Sequence, residues 1–219
     1  MTSVSAVGVR LHTLDEATKR LVRLAAILAA GDEQAIRSAL TDSVDAISPA
    51  WIEELILQSY LFCGFPRSLN AMREWRRLTG REEVARLEAA DPELWRRRGE
   101  QTCRLVYGEM YDRLRVNIRA LHPELDEWMI VEGYGKVLSR PGLDLPRREL
   151  CIVAACAVSE QDRQLHSHLH GAVNVGVAPK VVTEALDELQ NVLSPASMSN
   201  ARLLWKRVQG QLSSTDANT

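Results

Sequence analysis

Apolar residues recur every three to four positions along nearly the whole chain, with polar and charged residues between them. Period-two alternation with β-branched enrichment is scarce, and aromatic residues make up only 5% of the sequence, so little in it reads as strand. The pattern predicts an all-α fold. Helices are expected near 14–30, 32–46, 49–62, 66–79, 81–90, 93–113, 123–133, 146–158, 161–175, 178–192 and 196–210. Ser48-Pro49 reads as a cap followed by a first-turn proline, and Pro66, Pro92, Pro123, Pro146 and Pro179 also fall at helix starts. The stretch GYGKVLSRPGLDLP, from Gly133 to Pro146, reads as the main loop.

The same pattern occurs twice. NAMREWRRLTG at 70–80 returns as NARLLWKRVQG at 200–210, and Pro49 and Glu54 match Pro179 and Glu184, all at a spacing of 130. Upstream, Leu21, Ala25, Ala26, Ser38, Leu40 and Val44 match Leu150, Ala154, Ala155, Ser167, Leu169 and Val173 at a spacing of 129. A duplicated helical unit is therefore expected over roughly 14–80 and 143–210. The division that follows is a first unit at 11–80, a helical connector at 81–100, a second unit at 101–212 and a disordered tail at 213–219.

Charge adds little. The formal net charge of −2 gives no electrostatic case for nucleic acid, and the arginine-rich runs WRRLTGREE and LWRRRGE mix both signs as solvated helix faces do. No segment reaches the roughly 18 apolar residues of a membrane span, and MTSVSAVGVRLHT lacks the form of a secretory signal, so a cytoplasmic protein is expected. The cysteines, Cys63, Cys103, Cys151 and Cys156, include no C-x-x-C pair and read as small core residues.

Candidate chemistry lies in the second unit. Three of the five histidines, His166, His168 and His170, alternate in RQLHSHLHGAVNVG. At about 100° per residue, Leu165, Leu169, Ala172, Val173 and Gly176 form an apolar stripe with His168 on one edge and His166 on the other, while His170 turns toward solvent. His166 and His170 are i,i+4 neighbours, but no sequence pattern supplies the third ligand that zinc requires, so no metal site is assigned. Nineteen residues before His168 stands Glu149, read as lying in the first turn of a very apolar helix, where a carboxylate also suits the helix dipole. The first unit has Arg20 and Ala39 at the aligned positions. The acid and the histidine are thus both confined to the second copy.

RPGLDLPRRELCIVAACAVSEQDRQLHSHLHGAVNVGVAPKVVTEAL resembles the core of the carboxymuconolactone decarboxylase family, which includes the alkylhydroperoxidase D-like proteins. The likeness runs from Tyr107 to Gln190, through HPELDEW, GYGKVLSRPGLDL, RREL and HSHLHGAVNVG. The first copy resembles the same family in LVRLAAILAAGDEQ and in a Y-x-x-x-G-x-P-x-x-x-N-A pattern starting at Tyr60. The resemblance implies two tandem all-α units, the family's glutamate at Glu149 and its histidine at His168. The redox cysteines of the alkylhydroperoxidase branch would fall at Gln161 and Gln164, which leaves no thiolate for peroxide chemistry.

The expected function is a cofactor-free lyase or decarboxylase acting on a small carboxylate or lactone. Glu149 and His168 would provide acid–base chemistry, with Tyr134, Arg140 and Arg148 holding the substrate. A pocket lined from 128–145 and 165–176 is expected beside the pair. The resemblance also implies a homo-oligomer, such as a trimer of duplicated chains. A peroxide-detoxifying oxidoreductase and a non-catalytic small-molecule-binding helical protein are the alternatives.

Overall fold

A computed structural model describes residues 8–82 and 90–216. All regular elements among them are helical, apart from one isolated bridge between Leu11 and Val177. The helices are α1 (Glu16–Ala30), α2 (Glu33–Thr41), α3 (Pro49–Thr79), α4 (Pro92–Tyr107), α5 (Tyr111–Leu121), α6 (Pro123–Trp128), α7 (Leu145–Val158), α8 (Asp162–Asn174), α9 (Pro179–Asp187) and α10 (Pro195–Asp216). A 3₁₀ turn (Gly108–Met110) precedes α5, and a π-helical segment (Met129–Leu138) follows α6. The helix expected at 81–90 falls largely outside the described residues, as does the end of the tail expected at 213–219; α10 itself continues to Asp216.

Aspartates set several helix starts. Asp15, Asp32, Asp91 and Asp144 each accept the N–H of the residue three positions on, at 2.7–3.0 Å. Each such cap contributes about 1 kcal/mol. Ser48 precedes Pro49 as expected, but its side chain makes no capping bond. The helices expected at 49–62 and 66–79 form one element, broken at Gly64, whose φ of 80° interrupts the helical path.

The expected main loop is mostly not a loop. Its first half continues as the π-helical segment, and the irregular connection begins at Ser139. The second glycine of GYGK, Gly135, serves close packing rather than a turn, whereas Gly133 has open space where a Cβ would stand. A Cβ on Gly135 would come 2.0 Å from the Trp95 carbonyl oxygen, and one on Gly99 would come 2.1 Å from that of Ile130, so this segment lies backbone-to-backbone on α4.

One apolar core joins both halves. Leu21, Leu24 and Leu28 of α1 and Leu150, Ile152 and Val153 of α7 are buried in it. The helix boundaries keep the spacing of the sequence repeat: α1 and α7 start at 16 and 145, α2 and α8 at 33 and 162, α3 and α9 at 49 and 179. Trp75 and Trp205 are both buried, and each indole N–H donates to a side chain 22 residues earlier: Glu53 at 3.3 Å and Thr183 Oγ1 at 2.8 Å. The N-terminal segment is tied to the second half, with Leu11 N–H donating to Gly176 O (3.0 Å) and Ala178 N–H donating to Leu11 O (2.9 Å).

Candidate functional site

Helices α7 and α8 bring Glu149 and His168 together. Because α7 begins at Leu145, Glu149 is its fifth residue, one residue further in than the sequence suggested and just past the first turn. There it is fully buried under the apolar body of the helix, and a dipole at the helix end does not account for it. His168 reaches it from the stripe edge of α8, with Nδ1 2.8 Å from Glu149 Oε2 and only 6% of the residue exposed. A carboxylate at this distance holds Nδ1 as a donor and fixes the ring, leaving Nε2 for other chemistry.

The other oxygen, Glu149 Oε1, is buried with no hydrogen-bond partner among the described residues. An unpaired buried acceptor costs about 1–3 kcal/mol and more when charged. Gly171, one turn from His168 on α8, makes room for the carboxylate. A Cβ there would stand 2.7 Å from Glu149 Oε2 and 2.7 Å from Val106 Cγ1.

Two residues that sequence reasoning did not select complete the surroundings. The rings of Tyr107, at the end of α4, and Phe62, just before the α3 break, present their edges to the His168 ring at 6.3 and 6.4 Å. Tyr107 in turn lies 6.2 Å from the Tyr134 ring. Burial holds both phenols well above their ordinary range, with Glu149 among the charges acting in the same direction, so both stay protonated donors. No spacing in the sequence links Phe62 or Tyr107 to His168, since each comes from a separate helix.

Of the expected substrate-binding residues, Tyr134 lies in this neighbourhood but is itself buried. Arg140 and Arg148 turn elsewhere. Glu54 of α3, nearly buried, draws both guanidiniums: Arg148 Nη2 lies 2.7 Å from Oε2, and Arg140 forks onto the carboxylate at 2.9–3.2 Å. Arg148 is entirely buried and also donates to Leu143 O at 3.0 Å and Gln58 Oε1 at 3.2 Å. Burial lowers its pKa from the usual value, while Glu54 opposes the shift. A buried carboxylate requires counter-charges, and that demand commits Arg148 to the core.

A small cavity of about 10 Å³ with Phe62 in its wall is lined by α1, α3 and α7 rather than by 128–145 or 165–176. His166 and His170 form their own pair on α8, with ring centroids 5.0 Å apart, and His170 Nε2 lies 2.8 Å from Gln211 Oε1. Burial, then His170, lowers the pKa of His166. Among the described residues, no three His, Cys, Asp or Glu side chains converge as a metal-ligand set.

The four cysteines are free. Burial pushes the Cys103 and Cys156 thiols up to about 12, and Cys151 moves the same way. Cys103 and Cys156 also feel the charge of Glu149, which disfavours a thiolate beside the pair. Gln161 and Gln164, the positions where redox cysteines would stand, are exposed.

Residues 123–206 match the model of the carboxymuconolactone decarboxylase family. Over 141 residues the chain is 30% identical to Peroxisomal protein 2 of Schizosaccharomyces pombe, a match covering 61% of this chain and 64% of that protein. The chain thus spans a little under two thirds of that relative's length.

Proposed function

We propose, from the match of residues 123–206 to the carboxymuconolactone decarboxylase family, that the chain is a member of it and a cofactor-free lyase acting on a small lactone or carboxylate. The observation that carries the reading is the buried Glu149–His168 bond at 2.8 Å. In the proposed step the C–C bond to the substrate carboxylate breaks and CO₂ leaves. The electron pair passes into the conjugated lactone carbonyl. His168, as imidazolium, gives its Nε2 proton to carbon while Glu149 keeps the ring oriented, and solvent restores the proton. Tyr107 and Tyr134 supply hydroxyl donors for the developing charge. Arg140, which is partly exposed, is the cation able to leave Glu54 for a substrate carboxylate, whereas Arg148 anchors the floor.

Phe62 stands edge-on to the histidine, and in this reading it moves aside for the substrate. High thiol pKa values and the glutamines at 161 and 164 speak against the alternative of a thiol peroxidase.

The reading includes two tandem units, 11–80 and 101–212, joined by 81–100, with chemistry in the second alone. The matched helix starts and the paired tryptophan bonds support that duplication. Val116, Leu121, Leu125 and Trp128, all at least half exposed on α5 and α6, support a homo-oligomer, a trimer by this reading, in which a second copy covers them. No helix among the described residues is long and apolar enough to cross a membrane. We place the protein in the cytoplasm; the name of the yeast relative makes the peroxisome the compartment to test against it.

The test is CO₂ release from carboxymuconolactone and related lactone acids, with His168→Ala as the control. Release that depends on His168 supports the reading, and release unchanged by the substitution, or absent with every such acid, removes it.

A further inference from the structure

Helices α1 and α2 flank an open cavity of about 330 Å³, within the range of small-molecule sites. It lies between the helices whose counterparts hold Glu149 and His168. Arg20 and Ala39, the residues aligned with that pair, both line it. Alanine in place of histidine takes a ring out of the wall, and arginine in place of glutamate brings a long cationic side chain. Leu24 is buried and Ile27 half-buried, so the interior wall is apolar, while the partly exposed guanidiniums of Arg20 and Arg23 stand at the mouth.

Those guanidiniums have donors to spare. The Nε atoms of both arginines are buried without a well-directed hydrogen bond. Glu16 and Glu188 approach them to 3.2 and 3.1 Å, within ion-pair range but not aligned to accept the N–H. Arg20 Nη1 has only a long bond, 3.3 Å, to the Asp42 carbonyl. Surface ion pairs of this kind exchange readily for a ligand carboxylate. Glu16, Glu188 and Asp42 outnumber the two arginines at the mouth, so a ligand carboxylate binds by displacing Glu16 or Glu188 from a guanidinium, and a polyanion is disfavoured.

We propose that the first half carries a second ligand site, separate from Glu149 and His168, for a small organic monocarboxylate. Its apolar body lies against Leu24, Ile27 and Ala39, and its carboxylate takes donors from Arg20 and Arg23. The site binds without turnover: its lining holds Ser38, Ser43 and Asp42 but no histidine to activate a serine.

The test is calorimetric titration of the full chain with benzoate, phenylacetate and hexanoate, using benzyl alcohol and inorganic phosphate as comparison probes. At least one carboxylate should bind saturably, and both comparison probes should fail to do so. Arg20→Gln should weaken binding by about tenfold or more, the loss of one charge-assisted hydrogen bond. Ala39→Leu, which fills the cavity, should abolish binding, and His168→Ala should leave it unchanged. Should Ala39→Leu fail to fold, Arg23→Gln replaces it, with a weakening like that of Arg20→Gln expected. The proposal is overturned if none of the three carboxylates binds, if benzyl alcohol or phosphate binds as well as they do, if the α1–α2 variants bind like wild type, or if His168→Ala abolishes binding.

Discussion

The pairs α1–α2 and α7–α8 begin at the same spacing and share one core, yet they flank different things. Between α7 and α8 a glutamate and a histidine meet, and the space is closed. Between α1 and α2 an arginine and an alanine leave a cavity of about 330 Å³. The backbone arrangement alone therefore does not make the site. Two side chains decide whether the interface holds a fixed acid–base pair or an open space, and a third, Gly171, makes the first outcome sterically possible.

The largest expected effect comes from removing the histidine. If the α7–α8 pair carries the chemistry, His168→Ala lowers turnover by about two to four orders of magnitude, the usual worth of a general acid. His166→Ala and His170→Ala should retain most activity, because those rings face each other and α10. Equal losses from all three would show that the histidines act together and that the comparison of helix pairs is misplaced.

Gly171→Ala comes next. Its new methyl would meet both the carboxylate and Val106, and overpacking of this kind costs about 1–3 kcal/mol. The aligned residue in the first pair is Asp42, which is exposed. Asp42→Ala should change stability by no more than about 0.5 kcal/mol. Denaturant titration of both variants measures the difference, and equal effects would mean the two interfaces are not differentiated at this position.

The tryptophans test the duplication with effects of similar or smaller size. Trp75→Phe and Trp205→Phe each remove one indole hydrogen bond, worth about 0.5–1.5 kcal/mol to a neutral partner and about 1.5–3 kcal/mol to a charged one. Trp75, bonded to Glu53, should therefore cost more than Trp205, bonded to Thr183. The reverse order in thermal unfolding would count against equivalent places for the two rings.

The thiols should matter least at neutral pH. Cys103 and Cys156, held up to about 12 by burial, should resist alkylation until the protein unfolds. An unfolded thiol ionises near about 8.5. The stabilisation from keeping these thiols neutral is complete below that value and erodes as pH rises from there toward about 12. Alkaline unfolding should shift upward in the Cys103→Ala, Cys156→Ala double variant once its neutral-pH stability is taken as the reference.

Sequence reasoning reached the helices because aspartate and proline mark their starts, and it reached Glu149 and His168 because the two copies differ there. It missed the π-helical segment because Gly-Tyr-Gly reads as a turn, whereas Gly135 is there to let α4 approach. It did not foresee that Glu54 holds both Arg140 and Arg148, because that carboxylate is more than eighty residues away in the chain. Phe62 and Tyr107 were out of reach for the same reason: packing between distant helices, not local spacing, puts them beside the histidine.

The central claim is that Glu149 fixes His168 through Nδ1, and the nitrogen-15 spectrum of the histidine side chains tests it without any substrate. The account predicts that His168 in its neutral form carries its proton on Nδ1, with a slowly exchanging N–H resonance that disappears or moves in Glu149→Gln, and that His166 and His170 are unaffected by that change. A neutral His168 with its proton on Nε2, or a spectrum that Glu149→Gln leaves untouched, would contradict it.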